Sequence, residues 1–156
     1  MRLLLAVAIA LVPLAAIAAD WGHYSNTRYG YEIAVPPGFS GQGESDSGDG
    51  QMFKSRQGTQ ELRVFGGYLV SGDFSSELAE RQQQDASDGW AITYQAATPE
   101  WVSYSGTKGG FVLYVRAIAR CGDQYAMFRL RYSKQDAAAL DPVVSKLVGS
   151  LQAGSC

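Results

Sequence analysis

The sequence predicts an α+β fold: a seven-stranded, mainly antiparallel sheet flanked by two helices. Three observations carry this reading. Between Gly106 and Ser133 two alternating runs, Phe111 to Cys121 and Gln124 to Tyr132, flank Gly122-Asp123, which is the mark of a β-hairpin. Five shorter runs of strand type precede the hairpin. Two helical stretches, one after the third strand and one at the end of the chain, punctuate the order as three strands, a helix, four strands, a helix.

Taken from the start, Met1-Arg2 is a short basic lead into an apolar run, Leu3 to Ile17, and Ala16-Ile17-Ala18 gives a small-x-small cleavage signal. Residues 1–19 therefore read as a secretory signal peptide cut after Ala18 or Ala19, too short to span a bilayer comfortably. Residues 20–156 read as one domain, exported and soluble, periplasmic or secreted. Asp20 to Gly30 is polar and aromatic and holds His23. Tyr31-Glu-Ile-Ala-Val35 alternates as a strand and Pro36-Pro37-Gly38 ends it. Ser40 to Gly50, rich in Gly, Ser and acid, reads as an exposed loop. Gln51 to Ser55 and Thr59 to Tyr68 are strands, and the pair Gly66-Gly67 marks a bulge or the close approach of another element.

Ser75 or Ser76 is the expected cap of the first helix, which runs to about Asp88 and is closed by Gly89. Its apolar face, Phe74, Leu78, Ala79 and Ala86, is thin, so it should lie lightly on the sheet. Trp90 to Gln95 and Trp101 to Ser105 are the next strands, separated by Thr98-Pro99. In the hairpin, a two-residue loop places Cys121 opposite Gln124. Phe111, Leu113, Val115, Ala117 and Ala119 then share an apolar, core-facing side with Ala126, Phe128, Leu130 and Tyr132. The other side collects Tyr114, Arg116 and Arg120 with Tyr125, Arg129 and Arg131, and puts Arg116 directly opposite Arg129, an unfavourable pairing that calls for an anion nearby. For the last helix, Asp141 is the expected cap and Pro142 the first helical residue, followed by Val144, Leu147, Val148 and Leu151 at helical spacing.

Composition narrows the function. With 13 Lys and Arg against 15 Asp and Glu, the chain lacks a globally basic surface, so nucleic acid is a poor partner. Cys121 and Cys156 are the two cysteines, and in an oxidising compartment their pairing is the natural expectation; the alternative is two free thiols. Several chemical motifs fail. The acidic loop from Glu44 to Gly50 breaks the EF-hand pattern, which wants Gly where Asp49 stands and Glu where Ser55 stands. There is no zinc-type His/Cys cluster, no G-x-S-x-G elbow, and Gly106-Thr-Lys-Gly-Gly110 is not a P-loop. No metal, cofactor or catalytic residue is expected. The sharpest candidate is the arginine-tyrosine side of the hairpin: Arg116, Arg129 and Arg131, with Tyr114 and Tyr125, fit a carboxylate, a phosphate or an acidic partner surface. The commonplace reading is that these arginines lie over the sheet and pair with Glu77, Glu80, Asp85 or Asp88 of the first helix.

The segment Tyr29-Gly-Tyr-Glu-Ile-Ala-Val-Pro-Pro-Gly-Phe39, the order of strands and helices, and the terminal Val148-Gly-Ser-Leu151 together resemble the PsbP-like superfamily. That family holds extrinsic photosystem proteins, a Ran-binding nuclear transport factor and small bacterial periplasmic proteins. The resemblance covers nearly all of the chain after the leader. It implies a seven-stranded antiparallel sheet between helices with the late hairpin inside it. It also implies an accessory or binding role and brings no shared catalytic residues. The expectation is thus an exported, non-enzymatic binding protein whose partner is an envelope protein or a small anionic ligand. The alternatives are an anion or small-molecule carrier using the arginine face, or a small hydrolase.

Overall fold

The structure, a computed structural model, describes residues 20–155. The signal peptide expected at residues 1–19 and the last residue, Cys156, lie outside the described residues. Seven strands form the large sheet: β3 (Phe39–Glu44), β4 (Gly50–Ser55), β5 (Glu61–Tyr68), β6 (Ala91–Ala97), β7 (Trp101–Lys108), β8 (Phe111–Ala119) and β9 (Gln124–Ser133). Their spatial order is β3-β4-β5-β9-β8-β7-β6 and every pairing is antiparallel. A small second sheet holds β1 (Gly22–Asn26), β2 (Tyr31–Val35) and β10 (Gln152–Ala153) in the order β1-β2-β10.

The sheet has the expected number of strands, but not the expected members. Tyr31–Val35 is a strand, yet it belongs to the small sheet. Its place is taken by Phe39–Glu44, expected to open the exposed loop. The sequence Phe-Ser-Gly-Gln-Gly-Glu has no alternation to betray a strand, because this edge strand is exposed almost throughout. At Gly41 the Gln51 side chain folds over the strand, and a Cβ there would sit 1.9 Å from its nitrogen and turn it aside.

Helix α1 (Phe74–Ser87) covers one face of the large sheet. Its cap is Asp73, ahead of the expected serines, and the Asp73 carboxylate accepts from the Ser76 amide at 2.7 Å. Gly89, at φ +94°, ends it as expected. The buried residues of α1 are Phe74, Glu77, Leu78 and Asp85, so two acids replace the expected alanines on the inner face. Phe74 and Leu78 pack with Val102, Tyr104, Leu113, Val115, Ala117, Tyr125 and Met127 of the sheet.

The opposite face packs against α2 (Ala137–Ser150) and the small sheet. Leu62, Val64, Ala126, Phe128, Leu130 and Tyr132 meet Ile33, Leu140, Leu147 and Leu151 there. The α2 start differs from expectation. A short 3-10 turn, Lys134–Asp136, leads into Ala137, and Pro142 lies inside the helix. The run Ala137 to Leu140 propagates helix strongly enough to outweigh the amide that Pro142 lacks.

The hairpin register also corrects the expectation. The Arg120 amide donates to the Gln124 carbonyl at 2.8 Å, so the loop is Cys121-Gly122-Asp123, one residue longer than expected. Gly122 takes φ +63°. Arg116 therefore faces Phe128, and Val115 faces Arg129. A one-residue slip in a structure of period two changes which side chains share a face. The face carrying Tyr114 and Arg116 holds Ala126, Phe128 and Leu130, while Arg129 and Arg131 lie with Leu113 and Val115 on the α1 side.

Candidate anion-binding site

The register divides the five expected binding residues. Arg129, Arg131 and Tyr125 are on the α1 face; Arg116 and Tyr114 are on the other. Tyr125 is separated from the two arginines along β9. Its hydroxyl accepts from the Arg81 guanidinium, which also lies 4.9 Å above its ring. Tyr114 is stacked on Phe128, with ring centroids 6.1 Å apart, and is core packing.

Arg129 is held by α1. Its Nη1 and Nη2 donate to the two oxygens of Asp85 at 2.8 and 2.6 Å, and the Tyr104 hydroxyl donates to the same carboxylate at 2.6 Å. The Asp85 side chain is only 6% exposed, so the pair is largely desolvated and strongly coupled. Burial opposes the charge on Arg129, but the two bonds to Asp85 outweigh it and hold the guanidinium above its ordinary pKa. Burial and the adjacent carboxylate push the Tyr104 phenol well up, so it remains a donor. A second buried acid, Glu77, accepts from the amides of Val70 and Ser71 at 3.0 and 3.2 Å and from Arg81 Nε at 3.0 Å. Burial raises its pKa, but these donors more than compensate and set it below the ordinary range. The commonplace reading of the arginines thus describes Arg129, while Glu77 is satisfied by Arg81 of its own helix and by two amides of the loop before it.

Next to Asp85, where α1 ends, the sheet is left open in a recess of about 240 Å³. Glu61, Arg63, Trp90, Leu113, Arg129 and Arg131 line it. Strands β5 and β9 set Arg63 opposite Arg129 and Glu61 opposite Arg131. Arg63 Nε donates to Glu61 at 2.6 Å. Arg131 has no carboxylate partner among the described residues; its guanidinium lies 4.3 Å from the centre of the Phe111 ring. Three guanidinium groups thus share one recess with Asp85 and Glu61 as the bonded acids, which leaves one positive charge unmatched. A carboxylate or a phosphate is the ligand chemistry that such forks receive. Arg63 and Glu61 were not visible as site residues in the sequence, since nothing local links β5 to a strand more than sixty residues later.

The remaining polar and aromatic groups are dispersed. His23 Nε2 lies 2.8 Å from Ser25 Oγ and 3.6 Å from Glu32, so both partners meet one ring nitrogen, and the histidine is 60% exposed. A hydrolytic triad uses both ring nitrogens, one for the nucleophile and one for the acid. Trp21, Trp90 and Trp101 stand apart: Lys146 caps Trp21, Trp90 lines the recess and Arg116 covers Trp101. In the acidic loop, Glu44 accepts from Tyr24 and Asn26, and Asp49 from Ser45. Among the described residues no group of three His, Cys, Asp or Glu side chains is arranged to hold a metal.

No protein-family model matches the sequence, and no curated protein matches it at a significant level. Among solved structures, the solution structure of cyanobacterial PsbP (CyanoP) from Synechocystis sp. PCC 6803 matches with a TM-score of 0.66 at 16% identity, covering 92% of this chain and 98% of that one. At that identity the likeness speaks to architecture and carries over no individual side chain. It agrees with the antiparallel sheet and its two helices: the chain has the PsbP-like fold.

Proposed function

We propose that this is an exported, non-enzymatic binding or accessory protein that grips an anionic group, a carboxylate or a phosphate, in the recess between Arg63, Arg129, Arg131 and Trp90. One observation carries the reading: three guanidinium groups meet there, and Arg131 is matched by no carboxylate among the described residues. Asp85 fixes Arg129 in place, so part of the cost of orienting the site is met on folding. The basic, apolar and small-x-small pattern of residues 1–19 supports export.

A Cys121–Cys156 disulfide belongs to the same proposal. Arg120 donates to the carbonyls of Tyr29 and Gly154 at 3.0 and 2.8 Å, and the Gly154 amide donates to Gly30 at 2.8 Å. These bonds tether the tail beside the residue that precedes Cys121, and no free cysteine occurs among the described residues.

The test is an amide-resolved NMR titration of the wild type and Arg131→Gln with inorganic phosphate and with citrate. The expected result is saturable shifts at Arg63, Trp90 and Arg131 in the wild type, weakened about tenfold in the variant, which is roughly 1.4 kcal/mol. Equal binding by the two proteins, or no shift at these positions at tens of millimolar, would overturn the proposal.

A further inference from the structure

A second surface, on the other side and at one border of the sheet, has its own chemistry. Strand β6 pairs only with β7 and leaves its outer edge open. Its sequence, Ala-Ile-Thr-Tyr-Gln-Ala-Ala, contains neither a charge nor a proline, the usual devices that keep an edge from pairing. Its register slips once, between Ile92 and Tyr94, and then runs unbroken from Tyr94 to Ala97. The opposite border, β3, is disrupted by Gly41, Gly43 and a bulge, and ends in Glu44.

Both flanks of β6 are prepared for side chains. On the α1 side a groove of about 280 Å³ lies against the strand, lined by Leu78, Ala79, Gln82, Gln95, Ala97 and Val102. On the other side Tyr94 is 46% exposed, and the Arg116 guanidinium sits 4.0 Å from the centre of the Trp101 ring. Arg116 Nη1 donates to Ser103 at 3.1 Å, and its buried Nε has no partner. No carboxylate pairs with Arg116 among the described residues.

We infer that β6 accepts an extended, acidic segment of a partner polypeptide as an added strand, with a carboxylate set on Arg116 beside Trp101 and Tyr94 and the alternating apolar side chains in the groove under α1. The period of two along a strand sends successive side chains to these two flanks, and main-chain bonds to the open edge supply the rest. A partner strand is favoured over a second copy of this chain by charge. Two copies joined antiparallel through β6 would bring two Arg116 side chains to the same face and supply no carboxylate to either.

The probe is a capped eight-residue peptide alternating valine with glutamate. Its controls are the same peptide with lysine for glutamate, and with alternate backbone nitrogens methylated. In NMR titrations the glutamate peptide should shift the amides of Thr93 to Ala97. Both controls should bind at least about tenfold more weakly, as should the Arg116→Gln variant, while Arg56→Gln, exposed in the turn after β4 toward the opposite border of the sheet, should bind normally. Thermal unfolding checks that Arg116→Gln is folded; if it is not, Arg116→Lys, which keeps the charge and loses the fork, takes its place and should bind at intermediate strength. The inference is overturned if the lysine or methylated peptide binds equally, if the Arg116 variant used binds as the wild type does, if the amides of Thr93 to Ala97 do not shift, or if no peptide binds at millimolar concentration. Concentration-dependent dimerisation through β6 would overturn it in favour of a second copy.

Discussion

Replacing Asp85 by asparagine keeps the size of the side chain and removes the charge that holds Arg129. Two bonds to a carboxylate, at 2.8 and 2.6 Å, become at best one to a neutral amide oxygen, and the Tyr104 hydroxyl competes for that oxygen. Breaking a buried pair from one side costs about 3–5 kcal/mol, because the surviving charge is left desolvated. Arg129 is 25% exposed and opens into the recess, where water can partly solvate it, so the low end, about 3 kcal/mol, is expected. For a chain of this size that corresponds to a fall in Tm of about 10 °C. The assay is urea and thermal denaturation of Asp85→Asn and of the cycle Asp85→Leu, Arg129→Met and Asp85→Leu/Arg129→Met. The double variant should recover part of the loss, since an apolar pair of similar volume removes both charges together, while the Tyr104 hydroxyl left without its acceptor keeps a cost of about 1 kcal/mol or more. A cost below about 1 kcal/mol for Asp85→Asn, or strictly additive effects in the cycle, would refute the claim that the pair works as a desolvated unit.

Other consequences follow from individual contacts. Glu77 has a depressed folded-state pKa, so its contribution to stability is complete above the ordinary glutamate pKa and is lost as pH falls through the lower folded value; Glu77→Gln should therefore flatten the acid limb of the stability profile measured by denaturant titration. Gly66 lies under the Tyr29 ring, where an added Cβ would sit 2.5 Å from the tyrosine, so Gly66→Ala should cost about 1–3 kcal/mol in the same assay. Reducing the proposed Cys121–Cys156 bond should lower stability by on the order of 3–4 kcal/mol from loop entropy, and a denaturation midpoint unmoved by reductant would count against it.

What the sequence revealed follows from where the information sits. The terminal helix face, the Gly89 stop, and the strands rich in valine, isoleucine and leucine were legible because each is a local pattern. Phe39–Glu44 was not, since an exposed edge strand rich in glycine has no alternation. The site was half legible. Arginine and tyrosine alternate visibly along the hairpin, and Asp85 was among the partners weighed. But the faces turned on one residue in the Cys121-Gly122-Asp123 loop, and Arg63 reached the recess only through the non-local pairing of β5 with β9. The buried acids of α1 left their helix with a weak apolar stripe, which concealed how firmly it is seated: the inner face is held by ion pairs and hydrogen bonds as well as by Phe74 and Leu78.

The division of the arginines between two faces underlies both binding surfaces, and cross-strand proton contacts in the β8–β9 hairpin measure it directly. Nuclear Overhauser effects in the folded protein should connect Val115 with Arg129 and Arg116 with Phe128. Backbone contacts that instead set Arg116 across from Arg129 would return all three arginines to one face and contradict the account.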